Sequence, residues 1–237
     1  MGSGITKLVN LLNRIKGKIR FYQSIGGFKR CLELCGLHDF RSRNQIMNSV
    51  DLSGGELVIN WSDKPTTADQ LSIESYLSKI VNADMSILHV GIGNSTFALR
   101  WHNKVKKIHG ITISNDEYDR ANKLNLPNYK VWLVNKYSPE MIKQLDSYDV
   151  IIDNNPSYGC CCRFHFYMMW QNYLYLLKKD GRLLTDIIGC KWVIPGTDLR
   201  WALTDQNLVW LSNKFGLVMN KDESSANVRI LTNRGSI

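Results

Sequence analysis

Residues 86–100 read Ser86-Ile-Leu-His-Val-Gly-Ile-Gly-Asn-Ser-Thr-Phe-Ala-Leu-Arg100. A short apolar run (Ile87, Leu88, Val90) enters a turn carrying Gly91 and Gly93. Asn94, Ser95 and Thr96 follow, and then a helix-like stretch begins. The order is strand, glycine turn, helix. Glycine lets the backbone visit positive φ and come close to a ligand, and the free N–H groups of a helix start face whatever lies above the strand. Such a turn suits a nucleotide-like ligand. Thr96 stands where the third glycine of G-x-G-x-x-G would be, so the turn needs support from the rest of the chain.

That support lies downstream. Lys107–Ile113, Tyr129–Val134, Asp149–Ile152 and Gly181–Ile188 read as strands. They alternate with helices expected over Asn115–Leu124 (capped by Ser114 or Asn115), from Ser138-Pro139 onward, and over Arg163–Leu177. A helix over Thr67–Ile80 precedes the glycine turn, and another over Asp198–Lys214 follows the fifth strand. Leu217–Asn220 and Val228–Thr232 are short strands joined by a polar turn. Strands alternating with helices mean parallel pairing through crossovers. The final pair has no room for a crossover and is expected to be antiparallel. Ligand then binds beyond the carboxyl ends of the strands, beside the glycine turn.

Composition agrees with a globular α/β protein. The 237 residues are 44% hydrophobic and 22% charged, and no apolar run reaches the roughly 20 residues that span a bilayer. No secretory leader is expected, because Asn10, Asn13, Arg14 and Lys16 interrupt the early apolar residues. Three of six cysteines are consecutive (Cys160, Cys161, Cys162), which fits reduced thiols in the cytoplasm better than a disulfide framework. The net charge of +9 is uneven: residues 1–50 hold nine Lys/Arg against Glu33 and Asp39, a net +7. Leu8, Leu11, Leu12, Ile15 and Ile19 recur at helical spacing among those cations. Residues 1–65 are therefore expected to be a basic helical extension to a domain over 66–237. Its stripe either packs on the core or meets an anionic surface, a partner subunit or the face of a membrane, with nucleic acid less favoured.

With these elements in order, residues 70–235 resemble a class I S-adenosylmethionine-dependent methyltransferase. The resemblance implies a Rossmann-like seven-stranded, mostly parallel sheet with a terminal antiparallel hairpin and helices on both faces. His89-Val-Gly-Ile-Gly-Asn-Ser95 is similar to the family's first motif, which implies that Gly91, Gly93, Asn94 and Ser95 cradle the amino-acid part of the cofactor. Gly110-Ile-Thr-Ile-Ser-Asn-Asp-Glu117 has no acid at its strand tip. It is similar instead to the G-x-T-x-S-x-x-Q segment of cyclopropane-synthase-like members, which implies ribose or adenine contacts from Thr112, Ile113 and Glu117. Asn135 matches a position near adenine, and Asp153 ends the fourth strand at the catalytic rim.

The acceptor side is less decided. Acids at both strand tips, Asp153 and Asp186, resemble the subgroup that methylates hydroxyls of sugars and small molecules with a divalent cation such as Mg²⁺. Ile187 and Ile188 follow where a further ligand would be needed, so no metal site is assigned. Asn155-Pro-Ser-Tyr158 resembles the Asn-Pro-Pro-Tyr motif of amino-group methyltransferases, with Ser157 in place of the second proline. An alcohol needs a base, for which Asp153 and His165 are the candidates; His165 otherwise packs among Phe164, Phe166 and Tyr167. Asn155, Tyr158 and Trp192 are the expected acceptor contacts. An aminopropyl-type transferase and a non-catalytic methyltransferase-like binding subunit are the other open readings.

Overall fold

A computed structural model describes residues 61–160, 162–193 and 201–234. The basic segment, Cys31, Cys35, Cys161 and residues 198–200 lie outside them. The elements run α1 (Ala68–Ile80), β1 (Ser86–Val90), α2 (Thr96–Trp101), β2 (Lys107–Thr112), α3 (Asn115–Lys123), β3 (Tyr129–Leu133), α4 (Met141–Gln144), β4 (Tyr148–Ile152), α5 (Arg163–Leu176), β5 (Leu177–Asp186), α6 (Asp205–Lys214), β6 (Leu217–Asp222) and β7 (Ser225–Asn233).

One seven-stranded sheet has the order β3-β2-β1-β4-β5-β7-β6. β1 to β5 pair in parallel, and β7 runs antiparallel to both β5 and β6. β1 lies at the point where the strand order reverses, which puts the glycine turn beside a crevice. All five β1 residues are buried, as a central strand covered on both faces requires.

The two sheet faces form separate apolar layers. Ile87, Val150, Ile152, Leu184 and Ile230 pack with Ile73 and Leu77 of α1 and with Phe97 and Trp101 of α2. Leu88, Val90, Ile151, Leu183 and Leu231 pack with Met169, Trp170 and Tyr173 of α5 and with Leu208 and Leu211 of α6. The alternation along β1 sends Ile87 and Leu88 to opposite layers, as the two-residue strand period dictates. Buried Glu74 clips α1 to α2: its carboxylate accepts from Arg100 Nε at 2.7 Å and from Trp101 Nε1 at 2.8 Å.

Several boundaries differ from expectation. The helix read from Ser138-Pro139 is one turn, Met141–Gln144. α6 begins at Asp205, where Thr204 and Asn207 form a reciprocal capping box. The hairpin strands run further than their apolar residues, leaving Glu223 and Ser224 as the turn between them. β5 runs Leu177–Asp186, so it starts where the helix over Arg163–Leu177 was expected to end, four residues before the strand read over Gly181–Ile188. No helix among the described residues is long and apolar enough to cross a membrane.

Candidate ligand-binding cleft

At the carboxyl ends of β1 to β4 lies a cleft of about 200 Å³. β1 opens into it through three left-handed residues: Gly91 at φ 75°, Gly93 at φ 50° and Ser95 at φ 58°. A methyl group built on Gly91 would meet no atom within 4 Å, so this backbone faces open space. The turn is closed locally. Gly91 N–H donates to Ile111 O at 2.9 Å, and Thr96 N–H donates to Asn94 Oδ1 at 3.0 Å. Asn94 Nδ2 also donates to Lys64 O at 2.8 Å, tying the turn to the segment before α1.

The second wall is built on the end of β2. Ser114 caps α3 and receives the Glu117 N–H, as its position predicts. That capped turn brings the Glu117 side chain back over the strand tip. Oε2 accepts from Thr112 Oγ1 at 2.6 Å and Oε1 from Trp61 N–H at 3.0 Å. Burial raises the Glu117 pKa above its ordinary value, against the opposing hydrogen bonds from Thr112, Trp61 and Gly93. β2 thus has no acid at its tip, yet an acid from the next helical turn lies over that tip.

The third wall comes from the ends of β3 and β4. Buried Asn135 accepts the Tyr137 N–H on its Oδ1 at 3.0 Å. Lys136 Nζ donates to Asp153 Oδ2 at 3.0 Å and to Asn155 O at 2.9 Å. Asp153 is fully buried. It also accepts from Tyr173 Oη at 2.5 Å and Asn155 N–H at 3.2 Å. Tyr137 Oη lies 3.0 Å from Pro156 O and 2.9 Å from Tyr158 O, as donor to these carbonyls. Asn154 Nδ2 donates to Asp69 Oδ2 of α1 at 2.6 Å. The 154–158 loop is therefore pinned from β3, α1 and its own strand end. Over the mouth, the rings of Trp61 and Trp192 are 5.7 Å apart.

Of the residues singled out in the sequence, Gly91, Gly93, Asn94, Thr112, Ile113, Glu117, Asn135, Asn155, Tyr158 and Trp192 all line this one cleft. Three do not. Ser95 is buried with its hydroxyl 3.3 Å from Tyr129 Oη, Asp153 lies behind Lys136, and His165 is buried on α5 with Nδ1 3.3 Å from Cys162 Sγ. Among the described residues no group of three or more His, Cys, Asp or Glu is arranged to hold a metal ion. Trp61, Lys64, Gln70, His89 and Lys136 also line the cleft and were not read as site residues. Only Lys136 carried a signal, as the direct neighbour of Asn135. Trp61 and Lys64 fall within no periodic element, and Gln70 and His89 sit within a helix and a strand whose patterns read as structural.

No protein-family model and no curated protein sequence matches the chain. Solved structures do. The N-methyltransferase NodS from Bradyrhizobium japonicum WM9, in complex with S-adenosyl-L-homocysteine, is 12% identical, with 78% of this chain and 96% of that chain covered at a TM-score of 0.51. A TehB-like SAM-dependent methyltransferase from Corynebacterium glutamicum ATCC 13032 is also 12% identical, with 81% and 100% covered at a TM-score of 0.51. At this identity the likeness establishes architecture. The chain has the class I, Rossmann-like methyltransferase fold.

Proposed function

We propose that the protein is an S-adenosylmethionine-dependent methyltransferase acting on a hydroxyl of a small molecule or glycan. The observation that carries this reading is the buried Glu117 carboxylate beside the open face of the Gly91 turn. Its oxygens have three protein donors, Thr112, Trp61 and Gly93, and a carboxylate accepts about four hydrogen bonds. One sugar hydroxyl would complete the set. Gly91, Gly93 and Asn94 would hold the amino-acid end, Ile113 and Asn135 the base. The residues present therefore fit the cofactor, which supplies an electrophilic methyl on a sulfonium. The chain's own task is then to position an acceptor in line and take one proton from it.

The hydroxyl reading is favoured over the amine reading by the loop carbonyls. An amine would need acceptors from Asn155-Pro-Ser-Tyr158, and the Asn155 and Pro156 carbonyls already accept from Lys136 and Tyr137. The Lys136 ammonium lining the cleft attracts an oxygen and repels a second cation. In this proposal Lys136 binds the acceptor oxygen and Asp153 acts through it, receiving the proton that Lys136 passes on. His165, outside the cleft, takes no part, and no metal is invoked. Asn155, Tyr158 and Trp192 would flank the acceptor. Calorimetry with S-adenosylmethionine and S-adenosylhomocysteine tests the reading; absence of binding at high micromolar concentration would sink it.

Two further outcomes are expected. Gly91→Ala puts a methyl into the open face and forces an L-residue to φ 75°. The left-handed conformation costs about 1 kcal/mol, and S-adenosylhomocysteine affinity should drop by about tenfold or more in the same calorimetric assay. Affinity should also depend on pH. Burial raises the pKa of Glu117 above 4.5 in the empty cleft, while a bound hydroxyl donates to the charged form, so binding releases a proton from any protonated carboxyl. Affinity should therefore decline as pH falls through the raised pKa of Glu117 in the empty cleft. A profile of the same shape in Glu117→Gln would refute the assignment.

A further inference from the structure

α5 is apolar on every side. Its 14 residues, Arg163-Phe-His-Phe-Tyr-Met-Met-Trp-Gln-Asn-Tyr-Leu-Tyr-Leu176, include no Lys, Asp or Glu, and Arg163 is the sole arginine. A helix of that composition is normally enclosed, and only one side of α5 is. Phe166, Met169, Trp170, Tyr173 and Leu176 are buried against the sheet, while Phe164 and Tyr175 are 64% and 68% exposed. Phe164, Met168, Gln171 and Tyr175 share the outer side at spacings of four, three and four. Alternating steps of three and four are the spacing of a two-helix seam, which keeps one stripe against a partner helix. Trp210 of α6, itself 54% exposed, extends the patch beside Tyr167, the two rings lying 6.5 Å apart.

We propose that this face is the interface of a homodimer in which α5 packs antiparallel on α5 of a second copy. A two-fold axis maps the stripe onto itself: Phe164 of one copy meets Tyr175 of the other, and Met168 meets Gln171, so the four positions pair without remainder. Ring then lies on ring at the ends, and the adaptable thioether takes the amide at the centre. Charge fits the same arrangement. Arg163 falls beside the C-terminal end of the opposite α5, where the helix dipole is negative, and Lys178 just beyond that end is already paired with Asp149 at 2.8 Å. A parallel pair would set the two Arg163 side by side. At about 200 Å² per aromatic side chain, Phe164, Tyr175 and Trp210 leave roughly 370 Å² uncovered. That is about half of the ~800 Å² each partner of a stable pair buries, and Tyr167, Met168, Gln171 and Leu174 add to it from the same side. A lipid surface would demand no such register; a partner helix does. The inference is independent of the cofactor reading.

Sedimentation equilibrium of the full chain tests this with no ligand present. The wild-type chain should be dimeric, and Phe164→Glu and Tyr175→Lys should each weaken the dimer by at least about 30-fold. Both positions are exposed, so each variant should melt with the wild-type chain when followed by circular dichroism. Mixing the two variants in equal amounts should restore a dimer. The introduced carboxylate of one copy then faces the introduced ammonium of the other, while Tyr175 and Phe164 still pair at the opposite end of the seam. A wild-type chain that stays monomeric at high micromolar concentration overturns the proposal, as does a dimer that both variants leave intact. Two monomeric variants that remain apart on mixing overturn the antiparallel pairing. A monomeric wild-type chain that sediments with phosphatidylserine vesicles, and loses them on Phe164→Glu, gives the face to a lipid surface and overturns the proposal as well.

Discussion

Glu117→Ala should reduce S-adenosylhomocysteine affinity by about 10- to 150-fold. A hydrogen bond to a charged acceptor contributes about 1.5–3 kcal/mol, and this carboxylate has room for one ribose hydroxyl beside its three protein donors. The same change releases the Trp61 N–H and the Thr112 hydroxyl, so the walls of the cleft loosen together. Glu117→Gln keeps an acceptor oxygen and should lose less, about tenfold. Titration calorimetry measures both, and a thermal melt of each unliganded variant separates binding from folding. If the alanine variant bound within threefold of wild type, the ribose role of Glu117 would be wrong, and with it the observation that supports methyl transfer.

Trp170→Ala should destabilise the fold by about 3–5 kcal/mol, the range for emptying a large aromatic site in a core. Trp170 is fully buried, stacked on Phe215 at 6.0 Å and set edge-on to Phe166 and Tyr173. It joins α5 to the sheet layer that carries Leu88 and Ile151. Its indole N–H finds no partner among the described residues, however, and that unmade bond opposes the packing. Trp170→Phe removes the orphaned donor with part of the ring, so the two effects offset and the net cost should be within about 1 kcal/mol. Denaturant unfolding of the two variants decides the point. A phenylalanine variant as damaged as the alanine one would mean that the N–H is satisfied in solution.

The contrast between β1 and β5 explains what could be read from the sequence. β1 and its turn announce themselves: a short apolar run, two glycines and an oxygen-bearing side chain at the helix start coincide within a dozen residues. The antiparallel hairpin was equally legible, because its connection is too short for a crossover. β5 was not. Lys178-Lys-Asp-Gly181 has the composition of a turn, yet it forms extended backbone. The register against β4 jumps from Tyr148–Leu177 to Val150–Arg182, so the extra residues are absorbed as an irregularity in the strand. Gly181 serves close approach here: a methyl on it would stand 2.9 Å from Tyr148 O. Only the partner strand reveals this, and a single sequence does not contain that information.

The candidate site divides in the same way. Thr112, Glu117 and Asn135 were named through the resemblance of their strand ends to a known family, and Ser114 fixes the turn that carries the acid. The Lys136–Asp153–Tyr173 chain could not be found in this way, since its members come from after β3, after β4 and from α5. Asp153 read as a reachable carboxylate at a rim. Its burial depends on a tyrosine 20 residues away, which no spacing rule predicts.

The position of β7 has a kinetic corollary. Among the described residues β6 hydrogen-bonds to no strand except β7, and β7 is also what joins it to β5. During synthesis, residues 217–222 therefore have no strand partner until residues 225–233 have left the ribosome. Ordering of this sheet margin is then a late event that closes long loops, which slows maturation and leaves the outer edge of β5 open to chaperones meanwhile.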